Sequence, residues 1–180
     1  MFNIISKIIR TSKNLVTVND ISREQAEILA IGKGIDSKVK KLFRGSLAVK
    51  QVDAGSDNSA EQELVALSNS FYDAERFGVH FVASPKHADM LMVTGPVTRN
   101  MAEALKRAYA STPTPRIVIA VGDEAINGGL FNGSYTVYDK VADIIPVDYV
   151  IPGNPPSPKV ILAHLLKILE AIDNKSLDSR

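Results

Sequence analysis

Short apolar runs alternate with amphipathic stretches along most of the chain, and this alternation predicts an α/β protein. Five strands are predicted, at Leu47–Val52, Val79–Val82, Met90–Val93, Ile117–Val121 and Pro146–Ile151. Helices are predicted at Ser22–Leu29, Ala60–Leu67 and Arg99–Tyr109, and from Pro158 to about Ile172. Strands that alternate with helices join into a parallel sheet through right-handed crossovers. We therefore expect a mainly parallel sheet with helices on both faces.

The same pattern divides the chain into three parts. Residues 45–173 form the predicted α/β domain, which is three-layered and flavodoxin-like, and residues 174–180 are predicted to be a frayed tail. Residues 1–44 are predicted to be a helical extension that contacts a partner or a membrane. Its first residues place Phe2, Ile4, Ile5, Ile8 and Ile9 on one face of a short helix. That helix lies either on such a surface or on its own domain.

Composition narrows the range of chemistry. The 21 basic and 20 acidic residues are spread along the sequence and give a net charge of +1, so no basic patch indicates a nucleic acid partner. The chain contains no cysteine, which excludes disulfides, thiolate nucleophiles and zinc–thiolate sites. The N-terminal segment is too short to span a bilayer and has no small-residue cleavage site, so we expect a cytoplasmic protein.

The candidate site lies in three loops that follow predicted strands. The loops read DAGSDNSAEQE, GDEAINGG and PGNPPSP and begin at residues 53, 122 and 152. Ligands of open parallel sheets bind beyond the carboxyl ends of the strands, so these loops should converge. Their glycines, prolines and small polar residues suit either close approach to a ligand or ordinary turns.

Five stretches of sequence follow one another between residues 45 and 169, namely VDAGSDNSAEQE, YDAERFGVHFVASPKHAD, LMVTGPVTRNM, VGDE and PVDYVIPGNPP. In this order they resemble the motifs of the family that holds the 20-kDa subunit of respiratory complex I and the small subunits of membrane-bound hydrogenases. The resemblance is strongest to the formate hydrogenlyase and energy-converting hydrogenase members. The family's fold is the one predicted above.

The resemblance also shows what this chain has lost. Family members hold one 4Fe–4S cluster with four cysteines, and those positions are Asp57, Ala60, Glu124 and Asn154 here. A 4Fe–4S cluster needs thiolates, so no cluster is expected and no residue of this chain is expected to bind a cofactor or a metal. The four replacements differ from one another, which favours natural divergence over a uniform engineered change.

The vacated pocket has to be filled in some way. If Asp57 and Glu124 face each other, one of them should be protonated, hydrated or paired with a cation. Arg76 and Arg99 are the predicted ion-pair partners. A divalent ion held by Asp57, Glu124 and Asn154 is a second possibility, and water is a third.

The resemblance implies a place in an assembly rather than a reaction. We expect a cluster-free structural subunit of a complex I-like or hydrogenase-like, ion-translocating assembly, with no catalytic activity of its own. It would dock the large-subunit homologue and the membrane arm, peripherally on the inner face of the cell membrane. The alternative is a module whose former cluster pocket binds a divalent metal, a quinone or another small ligand.

Overall fold

The computed structural model describes residues 18–178, and the side chains of residues 21–175. Helix α1 comes first, and β1 follows it after a short turn. The helices are α1 (Val18–Phe43), α2 (Ser59–Ala66), α3 (Ala102–Ser111), α4 (Asp123–Asn127) and α5 (Pro158–Asp178). The strands are β1 (Leu47–Asp53), β2 (Val79–Phe81), β3 (Met90–Thr94), β4 (Val97–Thr98), β5 (Ile117–Val121), β6 (Val137–Tyr138) and β7 (Tyr149–Ile151).

Five of the strands form one parallel sheet in the order β2-β1-β3-β5-β7. This order confirms the predicted parallel sheet and is that of doubly wound, flavodoxin-like folds. β4 and β6 pair antiparallel in a separate two-stranded ribbon. Because all five main strands point the same way, their carboxyl ends lie along one edge, and the predicted loops leave from that edge.

Each face of the sheet has its own apolar core. Along β3, Met90 and Met92 belong to one core, while Leu91 and Val93 belong to the other. This is the period of two that a strand covered on both faces requires. The first core includes side chains from α1, α2 and α5, and the second includes Leu105 of α3 and Ala125 of α4. The three-layer prediction is therefore confirmed.

Helix α1 is part of the folded domain over its described length. Ile28, Ile35 and Val39 are buried in the first core, at spacings that put them on one helical face. A Cβ added to Gly32 would lie within 2.4 Å of several ring atoms of Phe77, so glycine allows the helix to pack closely there. The predicted N-terminal helix is thus confirmed over its described part, and the contact of residues 1–44 with a partner or a membrane stays a prediction. The predicted helix of the first residues lies outside the described residues.

Other boundaries differ from the predictions for local reasons. Helix α5 runs past Ile172 to Asp178, because no glycine or proline ends it there, so the tail predicted from residue 174 is wrong up to residue 178. The last strand begins at Tyr149, where Asp148 accepts a hydrogen bond from the Val118 amide through its carboxylate. Within the described residues, no helix combines the length and the apolar character needed to cross a bilayer.

Candidate functional site

The three loops do converge at the carboxyl edge of the sheet. The amide of Gly122 donates to the carbonyl of Ile151 (2.8 Å), and the amide of Asp123 donates to that of Gly153 (2.8 Å). The amide of Gly153 donates in return to Asp123 Oδ1 (2.9 Å). These bonds join the β5 loop to the β7 loop without any other group between them.

The cavity between the loops is nearly closed. It is lined by residues of all three loops, of the start of α2 and of the turn after β3, namely Ser59, Ala60, Gly95, Val121, Gly122, Asp123, Glu124, Gly153, Asn154 and Pro155. Its volume is about 10 Å³. A single water needs at least about 10–15 Å³, so the space holds one water at most.

Small residues make this closure possible. A Cβ added to Gly95 would lie 2.4 Å from Ser56 Cα, so the turn after β3 packs directly on the backbone of the β1 loop. A Cβ added to Gly122 would lie 3.6 Å from Ala60 Cβ and 3.5 Å from the Gly153 carbonyl oxygen. The loops therefore pack directly on one another at this edge of the sheet.

Asp57, the first of the four positions predicted to have lost a cysteine, is exposed. Its Oδ1 accepts a hydrogen bond from the Ser59 amide (2.8 Å), which organises the turn into α2. Hydrogen bonds from the Ser59 side chain and backbone hold the pKa of Asp57 below its usual range. Asp57 is therefore a charged turn residue.

Glu124 is the buried group of the site, with 5% of its surface exposed. Burial is the main cause that raises the pKa of Glu124, and the nearby charge of Asp57 raises it further. The backbone amide of Asp57 acts in the opposite direction through a hydrogen bond, and Glu61 adds a smaller repulsion. A Cβ added to Gly129 would lie 2.9 Å from Glu124 Cγ, so the chain after α4 covers this side chain.

Glu61 is equally buried, with 5% of its surface exposed. Its Oε1 accepts a short hydrogen bond from the hydroxyl of Thr94, which is itself fully buried at the end of β3. Its Oε2 and the Oε1 of Glu124 have no hydrogen-bond partner among the described residues. The sequence placed Glu61 in a surviving motif, but only the structure shows that it lies near Glu124.

The predicted arginine partners lie elsewhere. Arg76 pairs with Asp73 (3.5 Å) and lies over the Phe77 ring. Arg99 donates from Nε to the Tyr135 carbonyl (2.6 Å) and lies over the Tyr138 ring. No ion pair of Asp57 or Glu124 occurs within the part of the chain that the structure describes. The predicted pairing is therefore wrong, because both guanidinium groups stack on aromatic rings of their own segments.

The residues at the site do not fit a 4Fe–4S cluster. Ala60 has no donor atom, Asp57 uses an oxygen in its own turn, and Asn154 is exposed. Over residues 21–175, no three side chains of His, Cys, Asp or Glu are grouped to hold a metal ion. Pockets that hold drug-sized ligands measure roughly 300–1,000 Å³, far above the volume found here. The alternative of a metal or quinone in this cavity therefore has no support.

A larger cleft lies along the β4–β6 ribbon, and no sequence pattern indicated it. Thr98, Arg99, Asn100, Tyr135 and Thr136 line a space of about 350 Å³ along the β4–β6 ribbon. The adjoining segment exposes Leu130 (84%), Phe131 (40%) and Tyr135 (85%). Strands of two residues are too short for a period-two pattern, which explains why the ribbon was not predicted.

The sheet order and the converging loops place the chain in the class of doubly wound α/β proteins. Comparison with known proteins identifies the family. The family described as "NADH ubiquinone oxidoreductase, 20 Kd subunit" matches residues 58–168. The chain belongs to this family.

Two curated relatives illustrate the similarity to members of this family. It is 45% identical over 124 residues to the probable membrane-bound hydrogenase subunit mbhJ of Pyrococcus furiosus, covering 69% of this chain and 74% of that one. It is 42% identical over 139 residues to formate hydrogenlyase subunit 7 of Escherichia coli, covering 77% of this chain and 54% of the relative.

Solved structures agree on the fold. A chain of the membrane-bound sulfane sulfur reductase, an archaeal respiratory membrane complex, has 31% identity and a TM-score of 0.65, covering 77% of this chain and 75% of that one. A chain of the NAD+-reducing nickel–iron hydrogenase has 20% identity and a TM-score of 0.54, covering 70% and 92%, and supports the fold alone.

Proposed function

We propose that this protein is a structural subunit of a membrane-associated, complex I-like or hydrogenase-like assembly, and that it carries no electrons. The observation that carries the proposal is the combination of the family's fold with a closed, thiolate-free cavity of about 10 Å³. A cluster at this place would need four thiolates and far more room.

An exposed apolar segment supports a docking role. Leu130, Phe131 and Tyr135 expose large apolar side chains in one segment between α4 and β6. Clustered exposed aromatic and aliphatic groups are typical of protein–protein interfaces. The relatives named above include a membrane-bound hydrogenase subunit and a chain of a respiratory membrane complex. We infer that this segment contacts the large-subunit homologue, and that other surfaces contact the membrane arm.

The proposed location follows from the proposed partners. The subunit lies peripherally on the inner face of the cell membrane through its complex, and ion translocation belongs to the membrane arm. The subunit itself is not catalytic in this proposal.

Metal analysis tests the electron-transfer half of the proposal. We expect the full-length protein, isolated without oxygen, to contain no stoichiometric iron or acid-labile sulfide and to have no reducible chromophore. The matched control is the variant with Asp57, Ala60, Glu124 and Asn154 all changed to cysteine, reconstituted with iron and sulfide under the same conditions. Iron and sulfide at four per chain in the unaltered protein would overturn the proposal.

Co-purification tests the docking half. We expect the unaltered chain to co-purify with a large-subunit homologue from the same cells, and the Leu130→Asp/Phe131→Asp variant to lose it. Val65→Asp is the control, because Val65 is 60% exposed but lies near the far end of α2 from the loops. Equal recovery of the partner with both variants would exclude the 130–131 segment as the docking surface.

A further inference from the structure

Two buried carboxyl groups lie close enough at the loops to affect each other, and only Glu124 of the two lines the cavity. Glu61 on α2 and Glu124 on α4 are each 5% exposed. Each has one oxygen without a hydrogen-bond partner among the described residues, Oε2 of Glu61 and Oε1 of Glu124. An ionised carboxylate that is buried without a cation or full hydrogen bonding is costly, and such groups usually take up a proton instead.

The groups around Glu124 are acidic or neutral. The β1 loop presents Asp57, α2 presents Glu61, and Asp123 precedes Glu124 on α4, where its carboxylate binds the Gly153 amide. The β7 loop adds only neutral groups to the cavity, Gly153, Asn154 and Pro155. The turn after β3 adds Gly95, and β3 ends in the neutral Thr94.

The remaining neighbours of α4 supply no compensating cation. The 3-10 turn at Val141–Asp143 packs against α4, and its Asp143 pairs with Lys140 at 4.0 Å. Within residues 21–175, no lysine, arginine or histidine forms an ion pair with Glu61 or Glu124.

We propose that Glu124 holds a proton at neutral pH, and that this neutral carboxyl group keeps the three loops closed over the former cluster site. The site thus binds a proton where the family binds a cluster. Loss of the proton places a second charge beside Asp57 in a cavity with room for one water at most. The loops then separate to let water reach the carboxylate.

The pKa of Glu124 supports this reading. Burial, then the charge of Asp57, raise the pKa of Glu124 above its usual value of 4.5. A carboxyl group whose pKa is higher in the folded than in the unfolded state stabilises the fold fully at low pH. That contribution is lost as the pH rises through the folded pKa, so closure weakens toward alkaline pH.

Carbon NMR of the full-length chain, labelled at the glutamate carboxyl carbons, tests the proposal. The signal absent from Glu124→Gln identifies Glu124, and its titration midpoint should lie above the ordinary range of glutamate. If that variant does not fold, through-bond assignment of the unaltered protein identifies the same signal. A midpoint in the ordinary range, or a proton on Glu61 instead, would overturn the proposal.

Hydrogen exchange tests the opening of the loops. The amides of Gly122, Asp123 and Gly153 all donate across the site. Their protection, corrected for the intrinsic pH dependence of exchange, should be lost as the pH rises from about 5 to 9, while amides within α5 keep theirs. Glu124→Gln should retain protection throughout, and Glu170→Gln, the same change on the exposed side of α5, should behave like the unaltered protein. Unchanged protection in the unaltered protein would exclude a proton-linked closure.

The test does not depend on the proposed function. The NMR and hydrogen-exchange measurements use the isolated chain and no partner. Their outcome is therefore read independently of the co-purification and metal analyses.

Discussion

Two regions of this molecule bury a carboxylate, and they treat it in opposite ways. Asp173 on α5 is 3% exposed and is paired with Lys38 (2.7 Å) and Lys41 (2.5 Å) of α1. Hydrogen bonds from Lys38 and then Lys41 lower the pKa of Asp173, whereas burial raises that of Glu124. The first arrangement fixes two helices together. The second leaves acidic groups without an ion-pair partner among the described residues at the edge of the sheet.

The difference shows which part of the fold tolerates a buried carboxyl group that has no cation beside it. The helix pair lies over the larger apolar core, where an unpaired charge would destabilise the whole domain. The loops lie at the edge of the sheet and are joined by a few hydrogen bonds, so they can open without loss of the core.

The largest effect is expected from forcing the loops apart. Gly95→Ala places a Cβ 2.4 Å from Ser56 Cα at a φ of 73°, so both overpacking and left-handed strain destabilise it. We expect the free energy of unfolding, measured by urea titration, to fall by about 2–5 kcal/mol. Gly133→Ala has a φ of 76° but nothing within 4 Å, so it should cost only about 1–2 kcal/mol. Equal losses would show that contact between the loops contributes nothing.

The next effect comes from removing the cations of the helix pair. Lys38→Met/Lys41→Met removes two cations that pair with the buried Asp173 and should lower the melting temperature by several degrees. Lys40→Met is the control, because Lys40 pairs with Asp36 at the surface (2.7 Å), and such a pair contributes about 0.3–0.5 kcal/mol. If the double variant melts like this control, the comparison between the two carboxylates fails.

The pH dependence of the free energy of unfolding also distinguishes the two carboxyl groups. The pKa of Asp173 is lowered from 3.8, so its contribution to stability is full above that value and is lost as the pH falls through the folded pKa. We expect Asp173→Asn to be less stable than the unaltered protein at neutral pH, with the difference shrinking in acid. Urea titrations across the acid range measure this. A constant difference would mean that the aspartate acts through packing alone.

The smallest effect is expected at Asp57. Asp57→Ala removes the hydrogen bond to the Ser59 amide but leaves the exposed turn solvated, so it should cost about 0.5 kcal/mol in urea titration. Asp57→Asn keeps an acceptor and serves as the matched control, with a smaller loss. A loss of several kcal/mol for Asp57→Ala would place this side chain inside the site rather than at its rim.

Sequence reasoning predicted the sheet but not the contacts at its edge. The apolar runs at β3 and β5 are buried on both faces, so the hydrophobic pattern alone identified them. The convergence of the loops followed from parallel topology. The pairing of Glu124 with arginine was wrong because side-chain partners depend on rotamers and local stacking, such as that of Arg99 on Tyr138.

Other features had too little signal to predict. The strands β4 and β6 contain two residues each, and α4 contains five. Helix α1 was predicted too short, because the prediction ended at Leu29 and the helix ends at Phe43. Its polar residues outnumber its apolar ones, so the pattern did not identify the face that packs on α5 and Phe77. The buried Glu61 accepts a hydrogen bond from Thr94, which is 33 residues away in sequence, so local sequence does not indicate this contact.

The reciprocal bonds between Asp123 and Gly153 have a consequence for how this subunit is made. They hold the β5 and β7 loops together through atoms of the polypeptide itself. Under the proposed cluster-free function, a chain folded in this way would not require a maturation machinery that delivers inorganic sulfide, and its production would not depend on the supply of iron.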